Sequence, residues 1–166
     1  MKTSDRYSWT QISLHWLIAV LVIFELFFNE VIESLWRSQR ASQFALKPFN
    51  IEFWMNPHSA IGALILLLTL WRIWLRFASG APAAPANEPV IFQWAAKLAH
   101  ILFYLVLIAM PISGTIQLAT GLPIAHQLHE LGKPVLMLLI IVHVAAVLVH
   151  QFAWKNNIFN RMIGRA

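Results

Sequence analysis

Four histidines lie inside or at the mouths of apolar stretches of this chain: His15, His58, His129 and His143. An ionisable side chain at membrane depth is costly, so it is kept for a function and normally has a partner. Imidazole is a frequent metal ligand and a standard axial ligand of haem iron. His129 and His143 are fourteen residues apart. At about 100° per residue that spacing falls within about 40° of a whole number of turns, so both side chains leave one side of a helix. At ~1.5 Å rise per residue they stand about 21 Å apart along the axis, most of a bilayer core of roughly 30 Å. One helix would offer a ligand near each membrane surface.

The rest of the composition supports a membrane setting. The chain has 166 residues, of which 59% are hydrophobic and 11% charged, whereas soluble domains carry about 25% charged residues. There are no cysteines, which excludes thiolate-ligated iron–sulfur clusters, thiolate zinc sites, disulfides and covalent haem attachment. The net charge of +5 is scattered and mostly flanks apolar segments. It reads as interfacial anchoring and topology, with no nucleic-acid partner implied.

Four segments are long enough to span a bilayer. They run over about 12–32, 58–77, 92–118 (with Pro111 and Gly114 inside) and 131–154. Leu14–Phe28 lacks an Ala-x-Ala exit and is read as a retained helix rather than a cleaved signal. The first connection carries Trp36, Phe49, Phe53 and Trp54, which suit a short interfacial helix. The second, Gly80–Pro89, is a Pro/Ala linker. The third holds Gly121-Leu-Pro123 and His126. No repeat or second domain is visible, so the expectation is one domain over 1–166, an all-α integral membrane four-helix bundle. An even number of spans puts both termini on one side. Lys2, Arg6, Arg72, Arg76, Lys97, Lys155, Arg161 and Arg165 share that side, against Arg37, Arg40, Lys47 and Lys133 on the other. The bias places both termini in the cytoplasm.

That topology pairs the histidines by depth: His58 with His129 outside, His15 with His143 toward the cytoplasm. Each pair could clamp one planar macrocycle, giving two b-type haems between the helices. His150 lies on the face of His143 and matches the depth of His15 better. A ligand there, however, would sit about 31 Å from His129 at ~1.5 Å per residue, which separates the cofactors too far. His143 is therefore favoured, with His150 kept for the quinone or propionate side. His100 opens the third helix and His126 lies in the outer loop, neither with an evident partner at its depth. Arg72 could hold a haem propionate through its guanidinium fork or anchor its helix at the interface, and Arg76, less deep, reads as an interfacial anchor. Gly62 and Gly114 would allow either a macrocycle or a second helix to approach the backbone. Lys133, near His129, is the better source of local positive charge in an outer region that mixes Arg37, Arg40 and Lys47 with Glu30, Glu33 and Glu52.

The ordered set Ile12-Ser-Leu-His15-Trp16-Leu, Asn56-Pro-His58-Ser-Ala-Ile-Gly62, Leu70-Trp-Arg72, His100-Ile-Leu-Phe-Tyr104, Ala109-Met-Pro111-Ile-Ser-Gly114, His129-Glu130, His143 with His150, and Trp154-Lys-Asn-Asn157 resembles the bacterial cytochrome b561 family, in its superoxide oxidase-like branch. The resemblance covers essentially the whole chain. It implies a multi-pass di-haem oxidoreductase of the bacterial inner membrane. Its axial ligands would fall on His15, His58, His129 and His143. Its small-molecule donor would be periplasmic superoxide, oxidised to oxygen, and its acceptor ubiquinone. The resemblance does not itself place the quinone; by side and depth, His150, His100 and Arg72 are the candidates for its site. Two readings compete. One is a haem b anchor subunit that docks a redox partner protein in a larger dehydrogenase or hydrogenase, which short termini and a modest outer loop disfavour. The other is a colourless histidine-relay channel.

Overall fold

The computed structural model describes residues 6–40, 56–85 and 88–165, with the side chains of 31–33 and 35–40 left out. Lys2, Lys47, Phe49, Glu52, Phe53 and Trp54, and the side chains of Glu33, Trp36, Arg37 and Arg40, therefore lie outside the described residues, and with them most of the expected interfacial segment.

Four long helices carry the described chain: α1 Trp9–Arg40, α2 Pro57–Ser79, α3 Val90–Thr120 and α4 Pro123–Leu148. A π-helical turn, Val149–Ala153, continues α4, and a short α5 covers Ile158–Met162. Each long helix contains a stretch long and apolar enough to cross a membrane. Their outward faces keep large apolar side chains exposed, among them Leu67, Trp74, Phe77, Leu105, Leu138 and Ile141. Lipid is as apolar as those side chains, so no force drives them inward.

Local chemistry sets the helix ends. Ser8 and Gln11 form a reciprocal capping box, with Gln11 N donating to Ser8 Oγ at 3.2 Å and Ser8 N donating to Gln11 Oε1 at 3.0 Å. Two otherwise unsatisfied donors are met, and α1 starts at Trp9 rather than Ile12. Asn56 caps α2 by accepting from His58 N at 3.0 Å, with Pro57 at the first helical position. Its fixed φ suits that position, where the missing N–H costs nothing. Gly121 ends α3 in the left-handed conformation at φ 67°. Pro123 then starts α4, eight residues before the expected Leu131. His126 is consequently an exposed residue of the first turns of α4, not a loop residue, and His129 lies two turns inside the helix.

The closest backbone packing runs α1 with α2, α2 with α3, and α3 with α4. A small core at mid-depth joins Leu14, Ile18 and Val22 of α1 to Ile65 and Leu68 of α2 and Leu136 of α4. Gly132 lets α4 approach α3, because a Cβ there would collide with the Met110 side chain. The two ends of the described chain meet at one end of the bundle. Trp16 Nε1 donates to Met162 O at 2.8 Å, and the Trp9 ring covers Gly164. That end is called the terminal end below, and the opposite one the far end.

Candidate haem sites

At the far end, His58 enters on the first turn of α2 and His129 on α4. Their ring centroids are 5.8 Å apart. At the terminal end, His15 of α1 and His143 of α4 stand 6.3 Å apart. Imidazole nitrogens bind first-row metals at about 2 Å, so two rings holding one ion from opposite sides have centres about 6 Å apart. Both pairs fit that requirement. Each joins α4 to a helix with which its backbone is not closely packed, which leaves width for a planar group.

The far-end rings are held in place through Nδ1. His129 Nδ1 donates to the carbonyl of Met110 at 2.9 Å, and His58 Nδ1 donates to Glu25 Oε2 at 2.5 Å. A carbonyl or carboxylate partner on one nitrogen is the usual arrangement for a histidine that ligates metal through the other. The ring can reach the Met110 carbonyl because Gly114, one turn further along α3, presents no side chain in its way. A Cβ on Gly114 would lie 3.0 Å from two atoms of the His129 ring. The two rings border a cavity of about 360 Å³, within the roughly 300–1,000 Å³ typical of cofactor sites. Gly62 faces it with nothing within 4 Å of where a Cβ would sit, so this glycine widens the cavity rather than packing helices. Asn29 Oδ1, also on the wall, is buried without a hydrogen-bond partner, as expected of a surface shaped for a partly polar ligand.

The terminal end gathers more than the expected pair. His100 lies beside His143, ring centroids 6.0 Å apart, with its Nδ1 donating to Ala96 O at 2.6 Å. The expectation that His100 opens its helix without a partner is thus corrected. α3 begins at Val90, so His100 lies ten residues, about 15 Å, into it. Arg72 reaches α1 one turn before His15, where its Nη1 donates to Gln11 O at 2.5 Å. Tyr7, Tyr104 and Arg76 share its small pocket. His150 does not join this group. It sits on the π-helical turn, with Nε2 3.4 Å from Glu88 Oε1 and its ring 4.6 Å from that of Trp154. The structure therefore brings His143, not His150, beside His15.

Lys133 also departs from expectation as a source of positive charge. Its Nζ donates to Glu30 Oε1 at 3.2 Å, and the cavity it borders also carries Glu25 and Glu130. Sequence reading passed over Glu25, Asn29 and Glu88. Glu25 carried a usable signal, since an acid inside the apolar span Trp9–Glu30 is as costly as a histidine there.

Imidazole pairs at two depths between membrane-spanning helices are the arrangement expected of a haem-binding membrane electron carrier, a cytochrome b. The sequence profile of the prokaryotic cytochrome b561 family matches residues 6–165, and the chain belongs to that family. It is similar over nearly its whole length to cytochrome b562 of Cereibacter sphaeroides, at 32% identity covering 98% of each chain. A probable superoxide oxidase, CybB, of Yersinia pestis is 29% identical over 95% of this chain and 96% of its own. Cytochrome b561 homolog 1 of Escherichia coli is 24% identical over 97% and 98%. Family membership makes this a multi-pass membrane oxidoreductase that binds haem b and exchanges electrons with redox partners in or beside the lipid.

Proposed function

We propose that the chain is a single-domain di-haem superoxide:ubiquinone oxidoreductase of the bacterial inner membrane, with the terminal end in the cytoplasm. The observation that carries this reading is the pair of imidazole couples, 5.8 and 6.3 Å apart, at two depths of one bundle. His58 and His129 hold one haem b, His15 and His143 the other. Bound haem supplies the one-electron chemistry. The protein supplies orientation and a dry path, and a histidine pair at each site would suit single-electron transfer rather than oxygen binding at iron. Arg72 neutralises a propionate, and the apolar layer of Leu14, Ile18, Leu68 and Leu136 keeps water from between the sites. Two superoxide anions give up one electron each and leave as oxygen. One ubiquinone takes both electrons and two protons to become the quinol. The donor comes from the name of the Yersinia relative, since the far-end cavity, with three carboxylates and one lysine on its wall, is no anion funnel.

A reduced-minus-oxidised visible spectrum of detergent-purified protein, with haem quantified per chain, tests the core of the reading. Two low-spin b haems support it, and a colourless protein ends it. Superoxide-dependent quinol formation in proteoliposomes tests the donor separately.

His150 is assigned to the quinone side, with Glu88 as its acidic neighbour and His100 deeper on the same side. His150→Ala is expected to keep both haems while slowing ubiquinone reduction about a hundredfold, the ordinary scale for losing a positioned proton donor. Haem loss in this variant, measured per chain, would instead make His150 a ligand.

A further inference from the structure

We infer that Glu25 is a positioning residue for His58 and that its charge sets the potential of the far-end haem below that of the other. The inference rests on the proposed ligation of that haem by His58 and His129. Glu25 falls on the inward face of α1, continuing the buried series Leu14, Ile18, Val22 at helical spacing. It lies in a span of mean hydropathy 2.0 with its side chain only 13% exposed. A carboxylate there needs a strong partner, and it has one in His58 Nδ1 at 2.5 Å. Because Nδ1 is engaged, Nε2 would be the nitrogen left for iron, and ring rotation is fixed from α1 although the histidine belongs to α2.

The two far-end ligands then differ. His129 donates to a neutral carbonyl, His58 to a carboxylate. An anionic partner makes imidazole more electron-rich and favours the higher charge of ferric iron, which lowers the reduction potential. At the terminal end the group of fixed charge is cationic: Arg72, bonded to the Gln11 carbonyl one turn before His15 and sharing its pocket with Arg76, with the opposite effect. Negative charge at one haem and positive charge at the other make electron flow from the far end to the terminal end downhill.

Redox potentiometry on the purified holoprotein tests this with Glu25→Gln, which keeps a hydrogen-bond acceptor and removes the charge. The expected result is two haems per chain, the lower potential raised by a tenfold change in the ferric/ferrous equilibrium, ~59 mV for one electron, and the higher potential unmoved. Two haems with both potentials unchanged would overturn the inference. If Glu25→Gln loses the far-end haem, Glu25→Asp decides. Haem binding and the original potential regained with the charge support the inference, and loss in both variants reduces Glu25 to packing. His58→Ala, run in parallel, separates the two levels. Retention of both haems there would fail the ligand assignment and the role of Glu25 with it, whereas haem loss there beside unchanged potentials in Glu25→Gln would fail the role of Glu25 alone.

Discussion

His143→Ala is expected to lower the haem content from two per chain to one, with the remaining haem keeping its spectrum and potential. His15→Ala should do the same. The argument is geometric. The terminal-end rings are 6.3 Å apart, and removing either leaves an iron with one protein ligand where two were set for it. The far-end pair is held by separate contacts, to Glu25 and Met110, on the other side of the core layer around Ile65 and Leu68, so it has no reason to follow. His100 is the one complication, since its ring is 6.0 Å from that of His143. In His15→Ala it could serve as substitute, and the double variant with His100→Ala removes that route. Haem per chain and circular dichroism on the same samples distinguish ligand loss from unfolding. A folded His143→Ala protein that still carries two haems would mean that His15 finds its partner elsewhere, with His100 the nearest choice.

What could be read from residue order and what could not divide along physical lines. Lipid forces a spanning segment to be long, apolar and helical, so four spans and the fourteen-residue spacing of His129 and His143 are visible without coordinates. Depth along a helix is visible too, which is why the structure gathers His15 with His143 and His58 with His129. Helix ends were less legible where polar and proline signals conflicted. Gly121-Leu-Pro123 resembles a loop, yet Pro123 is a helix starter, and the later Pro134 stays inside the helix, as prolines do in spanning helices where neighbouring groups and local adjustments satisfy the freed carbonyl. Ser8 and Gln11, three residues apart, have the spacing of a capping box, a signal that the expected start at Ile12 passes over. Contacts between helices were not legible at all. That Lys133 is paired with Glu30, or that Glu25 meets His58 from another helix, depends on rotation about helix axes that hydropathy does not determine. Attention to histidine alone also hid Glu25, an equally costly group at a similar depth.

Gly114→Val is expected to remove the far-end haem and leave the terminal-end one, the mirror image of His143→Ala, without touching any ligand. A Cβ at Gly114 would already stand 3.0 Å from Nδ1 and Cε1 of His129, so Gly114→Ala asks the ring to give by a few tenths of an ångström. Valine adds two methyls on a side chain with little rotamer freedom in a helix, and overpacking of this kind costs about 1–3 kcal/mol. The ring escapes that strain by swinging away from α3, which breaks its 2.9 Å bond to the Met110 carbonyl and turns the ligating nitrogen off the axis shared with His58. Gly62→Ala is the contrasting probe, because its methyl enters the cavity itself and meets no protein atom within 4 Å. It adds bulk to the same cavity without moving a histidine, so haem retention in Gly62→Ala beside loss in Gly114→Val would tie the effect to the seat of the ring. Haem per chain and redox titration of both variants provide the measurement. If Gly114→Val keeps two haems at unchanged potentials, His129 is not held by its contact with α3, and α4 alone must orient it.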